Sequence, residues 1–143
     1  MRRRKARELA LKMLYQVEVN GDSLQKALDE YCTIFPYQQD IVDYARFLLA
    51  GIQKEKESLD ASIVKTSEHW KFNRITYVDR NILRMGIFEM LFSSDVPPKV
   101  AIDEAIELGK KFGTEDSKDF INGVLDKILH EHYKDSPAVG GKR

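Results

Sequence analysis

The sequence predicts an all-α protein of about seven helices, arranged as two small helical bundles. Three observations carry this. Apolar residues recur at three- and four-residue spacing along most of the chain. No alternating strand pattern breaks that rhythm. Helix-stopping or helix-starting residues (Asn20-Gly21, Pro36, Thr76, Pro97-Pro98, Gly113, Ser117) divide it into segments.

The first helix is expected over about residues 3–19, where Ala6, Leu9, Ala10, Met13, Leu14 and Val17 form one apolar stripe. Asn20-Gly21 can end it in the left-handed conformation. Asp22 or Ser23 then caps a short helix that turns Leu24, Ala27, Leu28 and Tyr31 inward, and Pro36 stops it. A longer helix from about residue 37 buries Ile41, Tyr44, Ala45, Leu48 and Ile52; a kink near Ser58 precedes Leu59, Ile63 and Val64, which continue the pattern. Residues 67–75 read as a connector. Thr76 and Asp79 have capping-box spacing. The helix they open is apolar almost all round, from Val78 through Ile82, Leu83, Met85, Ile87, Phe88 and Met90 to Phe92, which predicts a central helix covered on several sides. After Pro97-Pro98 a helix turns Ile102, Ala105, Ile106 and Leu108 inward and stops at Gly113. The last helix starts near Ser117 and buries Ile121, Val124, Leu125 and Ile128. Residues 134–143 are expected to be disordered. The bundles divide at about 1–58 and 59–133. Neither half alone would bury much apolar surface, so one cooperative domain over 1–133 is expected.

Composition narrows the class of function. Hydrophobic residues make up 43% and charged residues 32%, as in ordinary globular chains, and no run approaches the roughly 18 apolar residues of a membrane span. The basic start lacks the apolar segment of a secretory signal. The single cysteine, Cys32, permits no internal disulfide or multi-cysteine zinc site and reads as a small half-buried hydrophobe in a cytoplasmic protein. The net charge of zero conceals a pole: residues 1–16 carry six basic side chains against Glu8 alone, a surplus of +5 that the remaining chain cancels. A polyanion can sit at such a pole while the acidic surface faces elsewhere.

Helical geometry places Arg4, Arg7, Leu11 and Tyr15 together on a flank away from the apolar stripe. Cations beside an aromatic ring suit single-stranded RNA, because the cations neutralise phosphates and the ring stacks on an unpaired base. The same residues admit a plainer account, in which the basic start is a solvated tail and Tyr15 packs on the second helix. Phe120, beside Lys118, lies off the centre of its core stripe and is either a second stacking ring or a core-edge residue.

Catalytic and metal-binding constellations are missing. His130 and His132 point about 200° apart on a helix, and His69 stands apart from both. There is no Gly-rich phosphate loop or nucleophile elbow. Glu89, in line with Ile82 and Met85, is either a buried acid or, as we expect, a structural acceptor for backbone N–H groups near the helix after Pro98. No catalytic residue and no cofactor is expected.

Several of these segments resemble the NusB family. They are Arg3-Arg4-Lys5-Ala6-Arg7-Glu8 with Leu11 and Leu14-Tyr15, then Val78 through Arg84 followed by Glu89, then Val100 through Leu108, and finally Phe120 through Asp126. The resemblance covers residues 2 to about 130 and implies two perpendicular helical bundles. It also implies a transcription antitermination factor that binds the single-stranded boxA element of ribosomal RNA leaders. The implied partners are NusE, a small-subunit ribosomal protein, the other Nus factors and elongating RNA polymerase, with the protein itself a monomer or a homodimer. Carried over residue by residue, it places Arg2, Arg3, Arg4, Lys5, Arg7, Tyr15, Asp116, Lys118 and Phe120 at or beside the RNA surface, and Asp79 in the region that meets NusE. Position 103 is Asp where Asn is frequent in the family, and position 109 is Gly where Ala is frequent. The fold also occurs appended to RNA-modifying methyltransferases, for which 143 residues leave no room. A helical protein–protein adaptor without specific RNA binding is the alternative.

Overall fold

The computed structural model describes residues 2–20, 23–67 and 71–134, in which every regular element is helical. Seven α-helices follow one another: α1 (Arg2–Asn20), α2 (Leu24–Ile34), α3 (Gln39–Lys54), α4 (Lys56–Thr66), α5 (Tyr77–Phe92), α6 (Pro98–Phe112) and α7 (Ser117–Lys134), with a short 3-10 turn at Phe72–Arg74. Gly21, Asp22, His69 and the tail after Lys134 lie outside the described residues, and the expectations placed on them go with them.

The helices form for the reasons their sequences suggest. The α1 stripe is buried from Ala6 to Leu14, and α3 buries Ile41, Ala45, Leu48 and Ile52. Thr76 caps α5, its Oγ1 accepting from the Asp79 N–H at 3.1 Å. Ser23 occupies the α2 N-cap with extended backbone, but its hydroxyl makes no capping bond. Pro98 opens α6, where its missing N–H costs nothing. Two local expectations are corrected. The long helix breaks at Glu55 instead of bending near Ser58, giving separate helices α3 and α4. Val64 faces solvent, because the new helix changes the phase of the stripe and turns only Leu59 and Ile63 inward.

α5 is the central helix. It touches α1, α3, α4, α6 and α7, and every residue from Asp79 to Met90 is buried. α1 and α3 pack on it and on each other, with α2 against both, while α7 packs on it together with α6 and α4. Each large aliphatic side chain so buried contributes about 1.5–3 kcal/mol. α5 also carries polar residues into the interior, and these need partners. Arg84 reaches Asp60 of α4 through two hydrogen bonds (2.7 and 3.1 Å) and Asn81 at 2.8 Å. Arg80 donates to the carbonyls of Phe72 and Ile75 (3.1 and 2.9 Å), which ties the connector to the start of α5.

Candidate nucleic-acid interface

α1 presents its basic residues in more than one direction. Arg2 pairs with Asp40 at 2.6 Å, and the Arg3 guanidinium lies 4.5 Å from the centre of the Tyr44 ring. Both face α3 across a cavity of about 360 Å³ shared with Asp40, Asp43, Tyr44 and Phe47. Arg4 turns toward α6, where it holds Glu104 in a bidentate pair at 3.0 and 2.8 Å. That pair holds the Glu104 carboxyl below its usual range, although partial burial opposes it. Lys5 and Lys12 are exposed on the outer side of the same helix.

Arg7 departs from expectation. It is 3% exposed and not on the outer flank, and its Nε donates to Glu89 Oε1 at 2.8 Å. An arginine stem long enough to cross from α1 to α5 delivers its charge to a carboxylate that the local sequence does not reveal. Leu11, expected on the same flank, is also core. Glu89 is corrected with Arg7. Its oxygens accept from the Arg7 guanidinium and from the Tyr44 hydroxyl, both side chains, rather than from backbone N–H groups near α6. Burial, with Glu89 alongside, pushes the Tyr44 phenol well above its usual value, so the hydroxyl stays protonated as a donor.

Tyr15 lies one face further along α1 and is 48% exposed. Its ring meets Tyr77 at the start of α5 edge to face, with centroids 6.4 Å apart and planes at 70°. Beside it opens an apolar cavity of about 490 Å³, walled by Leu11, Lys12, Tyr31, Val78 and Phe112. The ring is thus wet on one side and propped by α5 on another.

Phe120 is half-buried on the first turns of α7. It lines a second cavity, of about 220 Å³, with Arg74, Ile75, Thr76, Asp79, Thr114 and Asp116. Asp116 and Lys118 are exposed on either side of the α7 start. Asp79 is 8% exposed, and burial pushes its carboxyl up, with Ser117 offsetting part of the effect. Asp79 lines the same cavity as Asp116 and Phe120.

Both rings border the start of α5. Tyr77 and Val78 stand beside Tyr15, and Thr76 and Asp79 beside Phe120. The end of α6 reaches the first cavity with Phe112, and the loop after it reaches the second with Thr114. Sequence reasoning missed Arg74, Tyr77, Lys110, Lys111 and Phe112. The run Lys110-Lys111-Phe112 was a readable signal, cations beside a ring; Lys111 bridges to Glu8 of α1 at 3.0 Å. Among the described residues no group of three His, Cys, Asp or Glu side chains could hold a metal, and no helix is long and apolar enough to cross a membrane.

Comparison with known proteins supplies the family. The profile of the NusB family matches residues 4–130. A transcription antitermination protein NusB from Desulfosudis oleivorans is 44% identical over 133 residues, which cover 90% of this chain and 86% of that protein. The solved structure of T. maritima NusB superimposes with a TM-score of 0.83 at 39% identity, covering 90% of this chain and 91% of that one. A chain from the crystal structure of antitermination factors NusB and NusE in complex with dsRNA gives a TM-score of 0.82 at 29% identity, covering 91% of this chain and 97% of that one.

Proposed function

This chain belongs to the NusB family of transcription antitermination proteins, and on that premise we propose that it grips RNA along one side of α1 and across the start of α5. The RNA is a boxA-type element of a ribosomal leader, the partner is the ribosomal protein NusE, and the assembly acts with other Nus factors on elongating RNA polymerase in the cytoplasm. A related NusB has been solved with NusE and dsRNA together, which supports both partners. The work is binding; no chemical step is assigned to the protein.

The observation that carries this reading is that Tyr15 and Phe120 both border the start of α5, each beside a cavity large enough for part of a ligand. In this reading both rings stack on unpaired bases. Arg4, Lys5 and Lys118 contact phosphates, while Arg2 and Arg3 extend the basic surface toward α3. Arg7 acts indirectly, by fixing α1 against α5. Arg4 must release Glu104 to take a phosphate, an exchange of one charged partner for another. Asp116 borders the base-stacking surface. Asp79 lies on the first turn of α5, whose exposed neighbours Arg74 and Tyr77 offer NusE a surface next to the RNA.

Fluorescence anisotropy with a boxA-type leader RNA tests the proposal, with a scrambled strand as control. Tyr15→Ala and Phe120→Ala should each weaken binding about 5- to 100-fold, the worth of one stacked base, with unchanged circular dichroism. Unchanged affinity in both variants would remove the stacking role. Equal affinity for the scrambled strand would favour a protein-only adaptor.

A further inference from the structure

We propose that Glu104 is a built-in competitor for RNA: in the free protein it holds Arg4 as a phosphate would, and every strand must displace it. Glu8 and Glu107 act beside it, on Lys111 and Lys110. The proposal rests on the RNA-binding reading above and adds to it a residue that sets the affinity for RNA of any sequence.

The first observation is where the carboxylates lie. A cleft of about 290 Å³ between α1 and α6 is lined by Arg4, Glu8, Glu104, Glu107, Lys110 and Lys111. Each of these cations meets one of these carboxylates. Arg4 lies 2.8 Å from Glu104, Lys111 3.0 Å from Glu8, and Lys110 3.1 Å from Glu107.

The second observation is how Glu104 is held. Arg4 Nε and Nη2 donate to its two oxygens at 3.0 and 2.8 Å, the forked geometry in which arginine also takes a phosphate. From behind, Arg7 Nη1 donates to the same carboxylate at 3.3 Å. The Arg4 side chain is 49% exposed and the Glu104 side chain 14%. Arg4 can therefore swing outward, whereas Glu104 stays anchored on Arg7. When Arg4 turns to a phosphate, Glu104 remains as a fixed negative charge beside the strand. The hydrogen bond from Arg4, with Arg7 alongside, holds this carboxyl below its usual range, so the charge persists at neutral pH. Glu107 and Glu8 also favour the charged form of Arg4.

A phosphate thus gains less at Arg4 than at an arginine surrounded by water. The loss falls on every strand alike, because phosphates carry no sequence information, and it leaves base contacts untouched. Arbitrary RNA is held weakly, and stacking and NusE decide which strand is retained. A plain clamp between α1 and α6 is the weaker account, because an ion pair with one half-exposed member contributes little to folding.

The test is a double-variant cycle on the full chain, read by fluorescence anisotropy with a boxA-type leader RNA and its scrambled control. Glu104→Gln keeps a carbonyl for Arg7 and removes the charge. It should bind both strands about two- to fivefold more tightly, the worth of one partly exposed ion pair. The loss caused by Arg4→Ala should be about two- to fivefold larger in the Glu104→Gln background than in the parent. Asp103→Asn, an exposed change on the same helix, should leave the Arg4→Ala loss as it is in the parent. Glu107→Gln, also at an exposed position, should shift affinity in the same direction and decides the matter if Glu104→Gln alters the circular dichroism. An equal Arg4→Ala loss in both backgrounds, or no gain in either glutamine variant, overturns the competitor while the RNA reading stands. A gain confined to the boxA strand overturns it too. If the parent RNA fails to bind, with and without NusE, the underlying reading fails and the competitor with it.

Discussion

Arg7, Glu89 and Tyr44 form a polar cluster inside the body, joining α1, α5 and α3. The Arg7 and Glu89 side chains are 4% and 1% exposed, so removing one strands the charge of the other. Arg7→Leu should destabilise the fold by about 3–5 kcal/mol in urea denaturation, whereas Arg7→Leu with Glu89→Leu should recover much of that loss. Equal losses in the single and double variants would mean that the pair is not coupled. Asp79 gives the opposite case. Its carboxyl titrates higher in the folded than in the unfolded state, so the folded protein binds the extra proton. That contribution is favourable below the unfolded value of about 3.9 and is lost as pH rises through the folded value. The stability of Asp79→Asn relative to the parent should therefore grow as pH rises from about 4 toward neutrality. Urea midpoints at the two ends of that range check this, and a constant difference would show that burial of Asp79 carries no titration cost.

At the scale of helices, contact distance decides more than propensity does. Gly51 lies where α3 crosses α5, and a Cβ there would fall 2.0 Å from Cζ of the Phe88 ring. Phe88 is buried between Phe47 and Phe92 and has little room to withdraw. Gly51→Ala should therefore lower stability by about 1–3 kcal/mol, despite alanine's better helix propensity, as thermal or urea unfolding would report. A neutral or stabilising result would mean that α3 and α5 can separate cheaply. Gly109, the family departure in α6, has a related account. A Cβ there would meet Ile121 Cδ1 of α7 at 2.7 Å, so glycine suits a close approach of the two helices. The terminal methyl of Ile121 can move, which makes this approach more forgiving than the one at Phe88.

For the molecule as a whole, the net charge of zero says little about how it meets RNA, because α1 distributes its cations over several surfaces. Arg2 and Arg3 face α3, Arg4 faces α6, and Arg7 is interior. Arg3→Ala with Arg4→Ala should flatten the dependence of log binding constant on log salt by roughly 0.7 for each single-strand phosphate left without its cation. An unchanged slope in a titration from low to moderate salt would place the phosphates elsewhere, with Lys110 and Lys111 at the end of α6 the next residues to examine.

Periodicity, punctuation and local charge were legible in the chain by itself. They settled the all-helical class, the central position of α5 and the Thr76 cap, because each depends on residues within a few turns of one another. Tertiary structure alone decided the fate of Arg7, the partners of Glu89 and the company of Asp79. It also brought Tyr15 and Phe120, distant in sequence, to the two sides of one helix start. The physical reason is range: a helical pattern reports which face is apolar, but a long polar side chain finds its partner on another helix, and only the packing says which helix that is.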